Sequence, residues 1–227
     1  MMLTQADLTA LLLTLQLALC TTAILLVLGT PLAWWLARTQ WRFKFLLETL
    51  IAMPLVLPPT VLGFYLLLAL GPRGFVGSFM QTLGGEPLAF TFTGLVIGSV
   101  IYSLPFVVQP LQDTFHNIGK RPLEVAATLR AGGLDRFLTI VLPLAKSGFI
   151  TASMLGFAHT LGEFGVVLML GGNIPGETQV LSIAIYGHVE SLEYVQAHLL
   201  SAALLILSFF MLLTVYGLRG RMRVASM

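Results

Sequence analysis

Thirty consecutive residues, 8–37, carry no charged side chain. A helix crossing a hydrocarbon core roughly 30 Å thick needs about 20 mainly apolar residues. This stretch would be about 45 Å long as a helix, enough for one tilted span and too short for two spans with a turn. Four more such stretches follow: 24 uncharged residues between Glu48 and Arg73, 26 between Glu86 and Asp113, one from Lys146 to Glu177 interrupted only by Glu163, and 25 between Glu193 and Arg219. Soluble domains carry about 25% charged residues, against 10% here, with 57% hydrophobic residues. An ordinary soluble domain and a disordered chain are both excluded. The sequence predicts an all-α membrane protein with five transmembrane helices, at about 8–37, 47–70, 91–112, 147–170 and 196–218, forming one domain over 1–227. The start, MMLTQAD, has no basic segment, and the apolar run far exceeds that of a signal peptide. Residues 171–193 are too broken by Gly, Pro and Glu to span, and read as a loop with a short interfacial helix.

Orientation is set by the basic residues. Arg38, Arg42 and Lys44 follow the first span, Lys120, Arg121, Arg130, Arg136 and Lys146 lie between the third and fourth, and Arg219, Arg221 and Arg223 follow the fifth. Alternating spans place all 11 on one side with a net charge of +7, leaving Arg73 on a face of net −4. The N-terminus is therefore expected outside and the C-terminus in the cytoplasm.

Prolines stand inside several spans: Pro31, then Pro54, Pro58 and Pro59, then Pro105 and Pro110. Each removes a helix hydrogen bond, so the freed carbonyls need partners in protein or in a wet cavity. Simple kinking would account for isolated prolines, whereas LPLVLPPTV is dense enough to suggest a broken helix beside a pathway. Gly94 and Gly98 form a small-residue pair suited to close helix contact, though such pairs also arise by chance. Glu163 lies inside a span, with His159 four positions earlier on the same expected helical face. An intramembrane carboxylate points to a functional site, and Gly162, Glu163, Phe164 and Gly165 are candidates for a gate or pathway. A purely structural carboxylate, bonded to backbone or held neutral, is the competing reading. No Lys or Arg lies within a span, so an anionic solute would pass over neutral groups without being held.

Catalytic signatures are missing: there is no HExxH, no GxSxG and no GxxxxGK[ST] phosphate loop. Cys20 is the single cysteine, and His116, His159, His188 and His198 are scattered, with no metal-ligand spacing. No catalytic, cofactor-binding or metal-ligating residue is expected in this chain, and no nucleic-acid partner.

The cytoplasmic segment 113–146 is the longest on the basic side. Pro122 can open a helix, and Glu124 in its first turn complements the helix dipole. Leu123, Ala126, Ala127 and Arg130 follow at helical spacing, Gly132–Gly133 is expected to end that helix, and Leu134, Phe137, Leu138 and Val141 begin an apolar stripe leading to Pro143. Such a helix pair can dock another protein or lie on lipid; spacing alone leaves both open.

These residues resemble the loop E-A-A-x-x-L-G-A…F…L-P of permease subunits of binding-protein-dependent ABC importers. The matching positions are Glu124, Val125, Ala126, Leu129, Arg130, Ala131, Phe137, Ile140, Leu142 and Pro143. Val125 replaces an Ala, and Arg130 replaces a Gly that permits positive φ. Arg130 would be strained there, so the turn is expected to slide to Gly132–Gly133. MPLVLPPTVLGFYLL (53–67), GPRGFVG (71–77), SLPFVVQPLQ (103–112) and FAHTLGEFGVVLMLGGNIPGET (157–178) further resemble molybdate importer permeases, with LGEFG shared by sulfate permeases. The resemblance implies a type I ABC importer permease fold and a homodimer with one pathway at its two-fold interface. It also implies an extracytoplasmic molybdate-binding protein and two cytoplasmic ABC ATPase subunits, which use the ATP and Mg. It places coupling to the ATPase on Glu124, Ala126, Leu129, Arg130, Ala131, Gly132 and Pro143, in a multi-pass protein of a prokaryotic cytoplasmic (inner) membrane. Sulfate or tungstate is the alternative solute. A self-sufficient secondary transporter would instead show charged intramembrane pairs or an inverted repeat, and neither is present.

Overall fold

The computed structural model describes residues 4–224 and is helical throughout its regular elements. Five helices are long and apolar enough to cross a membrane: Gln5–Arg38, Pro59–Thr82, Phe92–Ile118, Gly133–Leu161 and Tyr194–Thr214. Helix α1 (Gln5–Arg38) begins in a capping box, Thr4 accepting from the Asp7 amide while Asp7 accepts from the Thr4 amide at 2.9 Å. It runs unbroken through Pro31.

The second expected span, 47–70, is not one helix. Helix α2 (Lys44–Ala52) passes into a 3-10 turn, Met53–Leu55, and a new helix α3 (Pro59–Leu70) starts after the break at 56–58. Pro58 and Pro59 cannot donate, and each disfavours helical geometry in the residue before it, so the break falls where the prolines cluster. Helix α4 (Phe75–Thr82) follows, then α5 (Phe92–Ile118), capped by the Thr91 hydroxyl and continuous through Pro105 and Pro110.

The segment between the third and fourth spans is shorter than 113–146, because α5 continues to Ile118 and the membrane-crossing stretch Gly133–Leu161, built from three successive helical pieces, begins at Gly133. Short α6 (Arg121–Thr128) and α7 (Gly133–Arg136) lead through a π-helical turn, Phe137–Val141, into α8 (Leu142–Leu161). The wide turn has a local cause: a proline ring collides with the carbonyl four residues earlier, and widening the turn ahead of Pro143 moves that carbonyl aside.

The fourth expected span, 147–170, is also broken. Helix α8 stops at Leu161, and α9 (Gly165–Gly171) starts afresh. Helix α10 (Leu181–Glu190) lies in the stretch expected to carry a short helix, and α11 (Tyr194–Val224) completes the fold. Arg219, Arg221 and Arg223 lie in its last turns, with side chains outside the described residues.

Helix α5 is the centre of the packing. Leu25, Ala33 and Leu36 of α1 meet Val107, Val108, Leu111 and Phe115 of α5, with Ala145 and Ala152 of α8 closing the cluster. Toward the N-terminal end of α1, Leu17 meets Leu95, Val167, Val180 and Ile183. Exposed Leu205, Phe209 and Leu213 run down α11, as expected where the solvent is lipid.

Candidate functional sites at the basic end and at the broken helices

Charges segregate by end. Arg38, Lys44, α6 and α7 lie at one end, where Trp34 packs edge-on against Phe115 and Phe137, each at 5.2 Å, and the Arg38 guanidinium sits 3.8 Å from the Trp34 ring centre. The opposite end holds Asp7, which bonds His188 at 3.0 Å, and His188 bonds Glu193 at 2.7 Å.

At the basic end, α6 is amphipathic. Leu123 and Ala126 are buried against the bundle, while Glu124, Val125 and Leu129 face outward. Glu124 sits in the first turn, as anticipated. The helix does not end at Gly132–Gly133. It ends one turn earlier, with Arg130 in the left-handed region at φ 61°. The Arg130 amide donates to Ala127 and the Ala131 amide to Ala126, a Schellman closure around a residue that is usually Gly. The expected slide of the turn therefore does not occur. Gly132 instead takes an extended conformation and caps α7. Pro143 is exposed in the first turn of α8. Val125 and Leu134 are 63% and 73% exposed, and with Leu129 they are exposed apolar side chains of the segment 121–136. Their signal was an apolar residue on the polar face of an amphipathic helix.

The second site lies where the helices break. Gly162 caps α8, Phe164 caps α9, and Glu163 between them is 4% exposed. Ser182 donates to the Glu163 backbone carbonyl at 2.6 Å. Ser99 of α5 faces the carboxylate without completing a hydrogen bond. His159 does not share a face with Glu163, because the helix ends between them. Its Nδ1 lies 2.9 Å from the Ser103 hydroxyl, which is also 3.0 Å from the Thr160 hydroxyl, and its ring stacks on Phe106 at 3.8 Å. Ser99, Ser103 and Ser182 escaped notice in the sequence because small hydroxyl residues are common in membrane helices; Ser99 and Ser103 were detectable only as a pair four apart.

The two breaks come together. A Cβ on Gly165 would sit 2.7 Å from the Pro59 Cβ, and one on Gly63 would sit 2.8 Å from the Met169 Cβ. Helices α3 and α9 thus start side by side and run parallel. Gly98 lets α9 approach α5, since a Cβ there would meet Leu170 at 2.7 Å. Gly94 serves the turn before α5 instead, so the Gly94–Gly98 pair is not one shared contact face. Among the described residues no three His, Cys, Asp and Glu side chains are arranged to hold a metal ion.

Residues 29–224 match the family described as "Binding-protein-dependent transport system inner membrane component". The chain is 59% identical to the molybdenum transport system permease protein ModB of Azotobacter vinelandii, over 96% of this chain and 97% of that protein. It is 36% identical to the protein of the same name from Escherichia coli K12, over 84% and 83%. A probable sulfate transport system permease protein, cysT of Chlorella vulgaris, is 31% identical over 91% and 77%. In fold the chain is similar to a bacterial ABC transporter involved in the import of the acidic polysaccharide alginate, with a TM-score of 0.74 at 16% identity, covering 97% of this chain and 80% of that one. A second structure of a bacterial alginate ABC transporter, in complex with an alginate pentasaccharide-bound periplasmic protein, gives 0.78 at 14% identity, covering 96% and 80%. Matched over most of its length and built on five membrane-crossing helices, this multi-pass chain belongs to the family of inner membrane components of binding-protein-dependent transport systems.

Proposed function

We propose that this chain is the permease subunit of an ABC importer for molybdate. The observation that carries the solute is the 59% identity across 97% of a molybdenum permease, against 31% across 77% of a sulfate permease. Two copies form one pathway between them, an extracytoplasmic molybdate-binding protein delivers the anion, and two cytoplasmic ATPase subunits bind and hydrolyse ATP with Mg. The similar fold of an alginate ABC transporter in complex with a periplasmic protein supports delivery by a binding protein. The acidic end, with Asp7 and Glu193, faces outside, and the basic end faces the cytoplasm. The ATPase docks on the projecting segment 121–136. Glu124, Leu129 and Arg130 meet it from the exposed face, and Ala126 anchors the helix to the bundle. Ala131 and Gly132 close the turn, and Pro143 sets the wide turn that passes movement into α8. This is transmission of rigid-body motion, not chemistry by the chain itself. Gly162, Glu163, Phe164 and Gly165 form the hinge at which α9 moves against α3. Glu163 holds this hinge through its backbone carbonyl, which accepts from Ser182, and does not ligate the anion.

The test is labelled molybdate uptake by proteoliposomes holding the permease, its ATPase and the binding protein, with sulfate in excess. Uptake that requires ATP and the binding protein and survives sulfate supports the proposal. Loss to sulfate moves the solute to sulfate, and uptake without ATP overturns the importer reading. Glu124→Lys, which reverses the charge of the docking face, is expected to abolish uptake while leaving insertion intact; normal uptake removes the docking assignment.

A further inference from the structure

In a bilayer an exposed side chain meets lipid, water or another protein, so exposed polar groups identify the faces that lipid does not cover. Helix α5 is packed against α1, α8 and α9, yet a line of its side chains at helical spacing stays exposed or half-buried: Tyr102, Phe106, Gln109, Asp113 and His116. The line turns from aromatic to polar toward the basic end. Two adjoining cavities follow it and share Gln109 and Asp113. One, of about 260 Å³, includes Leu55, Phe106 and Leu155; the other, of about 490 Å³, includes Glu48, Thr49 and Gln112.

Depth and charge decide what fills this groove. Trp34 touches Phe115, and Trp35 and Trp41 lie at the same end, as aromatic residues do at a membrane interface. Gln109 is six residues before Phe115, hence about 9 Å deeper along the helix. Phe106 lies deeper still, beside the 3-10 turn that precedes the break. An exposed amide at Gln109's depth would cost several kcal/mol against hydrocarbon. A dry protein interface fits no better. Among the described residues Asp113 has no ion pair, and its neighbour Glu48 is also acidic, held by Gln112 at 2.6 Å and Lys44 at 3.2 Å. A water-filled groove satisfies both groups. Toward the other end Gly63, Gly98 and Gly165 bring α3, α5 and α9 into close contact.

Resting on the importer reading and its orientation, we propose that this groove between α2 and α5 is one protomer's wall of the exit half of the solute path between the two copies. Gln109 is the neutral hydrogen-bonding group that the oxyanion passes, and Asp113 disfavours its return from the cytoplasm. Gln109 is a neutral donor that can solvate an oxyanion without trapping it, which suits a passage more than a binding site. This places the path along α5, one helix away from the hinge at Gly162–Gly165.

The experiment uses the complete transporter with Cys20→Ala, single cysteines at Gln109, at Thr49 on the facing wall and at lipid-facing Leu205, and charged methanethiosulfonate reagents added from the cytoplasmic side. Gln109→Cys and Thr49→Cys are expected to react at least tenfold faster than Leu205→Cys, and modification at Gln109 to block molybdate uptake. Adding Asp113→Asn to Gln109→Cys is expected to raise the anionic-to-cationic reagent rate ratio roughly threefold, as loss of one screened charge nearby requires. Gln109 and Thr49 no more reactive than Leu205, or a fully modified Gln109→Cys transporter with unchanged uptake, overturns the path. An unchanged rate ratio overturns the role of Asp113. If Gln109→Cys does not assemble, Thr49→Cys carries the accessibility test. Uptake by the Cys20→Ala parent without ATP would instead sink the importer reading, a result separate from the thiol rates.

Discussion

Arg130 holds a conformation that its own side chain opposes. The left-handed region costs a non-glycine residue about 1 kcal/mol or more, and here the two Schellman hydrogen bonds hold it in place. Arg130→Gly is expected to stabilise α6 by roughly that amount, read as slower amide exchange at Ala131 with the rest of the bundle unchanged. At the other end, the hydrogen bond to Asp7 raises the His188 imidazole above the ordinary histidine range, and Glu193 adds to the rise. A raised folded-state value contributes stability that is fully present below the ordinary value of about 6.5 and is lost as pH rises through the raised one. The thermal midpoint of the transporter should therefore fall across that window, and His188→Gln should flatten the profile. The residue types at these positions were plain in the sequence. Their pairing was not: Asp7 and His188 are 181 residues apart, and nothing local connects them.

At the scale of elements, two broken spans lock together. Gly165 and Gly63 leave no room for a Cβ between α3 and α9, so Gly165→Val must push α9 away from Pro59. Overpacking of this kind costs about 1–3 kcal/mol. The expected outcome is a lower thermal midpoint and loss of uptake, whereas Gly162→Ala, whose Cβ would meet only the Ala158 carbonyl at 3.7 Å, should leave the thermal midpoint unchanged. The first break was legible, because Pro58 and Pro59 forbid a continuous helix. The second was not, because Gly162, Glu163 and Gly165 do not forbid a helix as paired prolines do, and an apolar run with Glu163 as its one charge hid the stop. The same error placed His159 and Glu163 on one face.

For the whole molecule, opposite charge at the two ends is the determinant of topology. A cysteine replacing Gly84, in the loop before α5, should react with a membrane-impermeant thiol reagent added outside, and one replacing Gly133 only after permeabilisation; the reverse pattern would invert the assigned orientation. The number of spans, their order and the sidedness of the charges are properties of hydropathy and composition, which the chain carries residue by residue because the bilayer acts on each segment separately. Helix α6 was also legible, since a short amphipathic helix with an acid in its first turn is a local pattern. The register of α9 against α3 and α5, the buried surroundings of Glu163 and the polar groove along α5 belong to the tertiary structure alone. Each depends on which faces of distant helices meet, and in lipid that choice is made by small residues and close packing rather than by the apolar pattern itself.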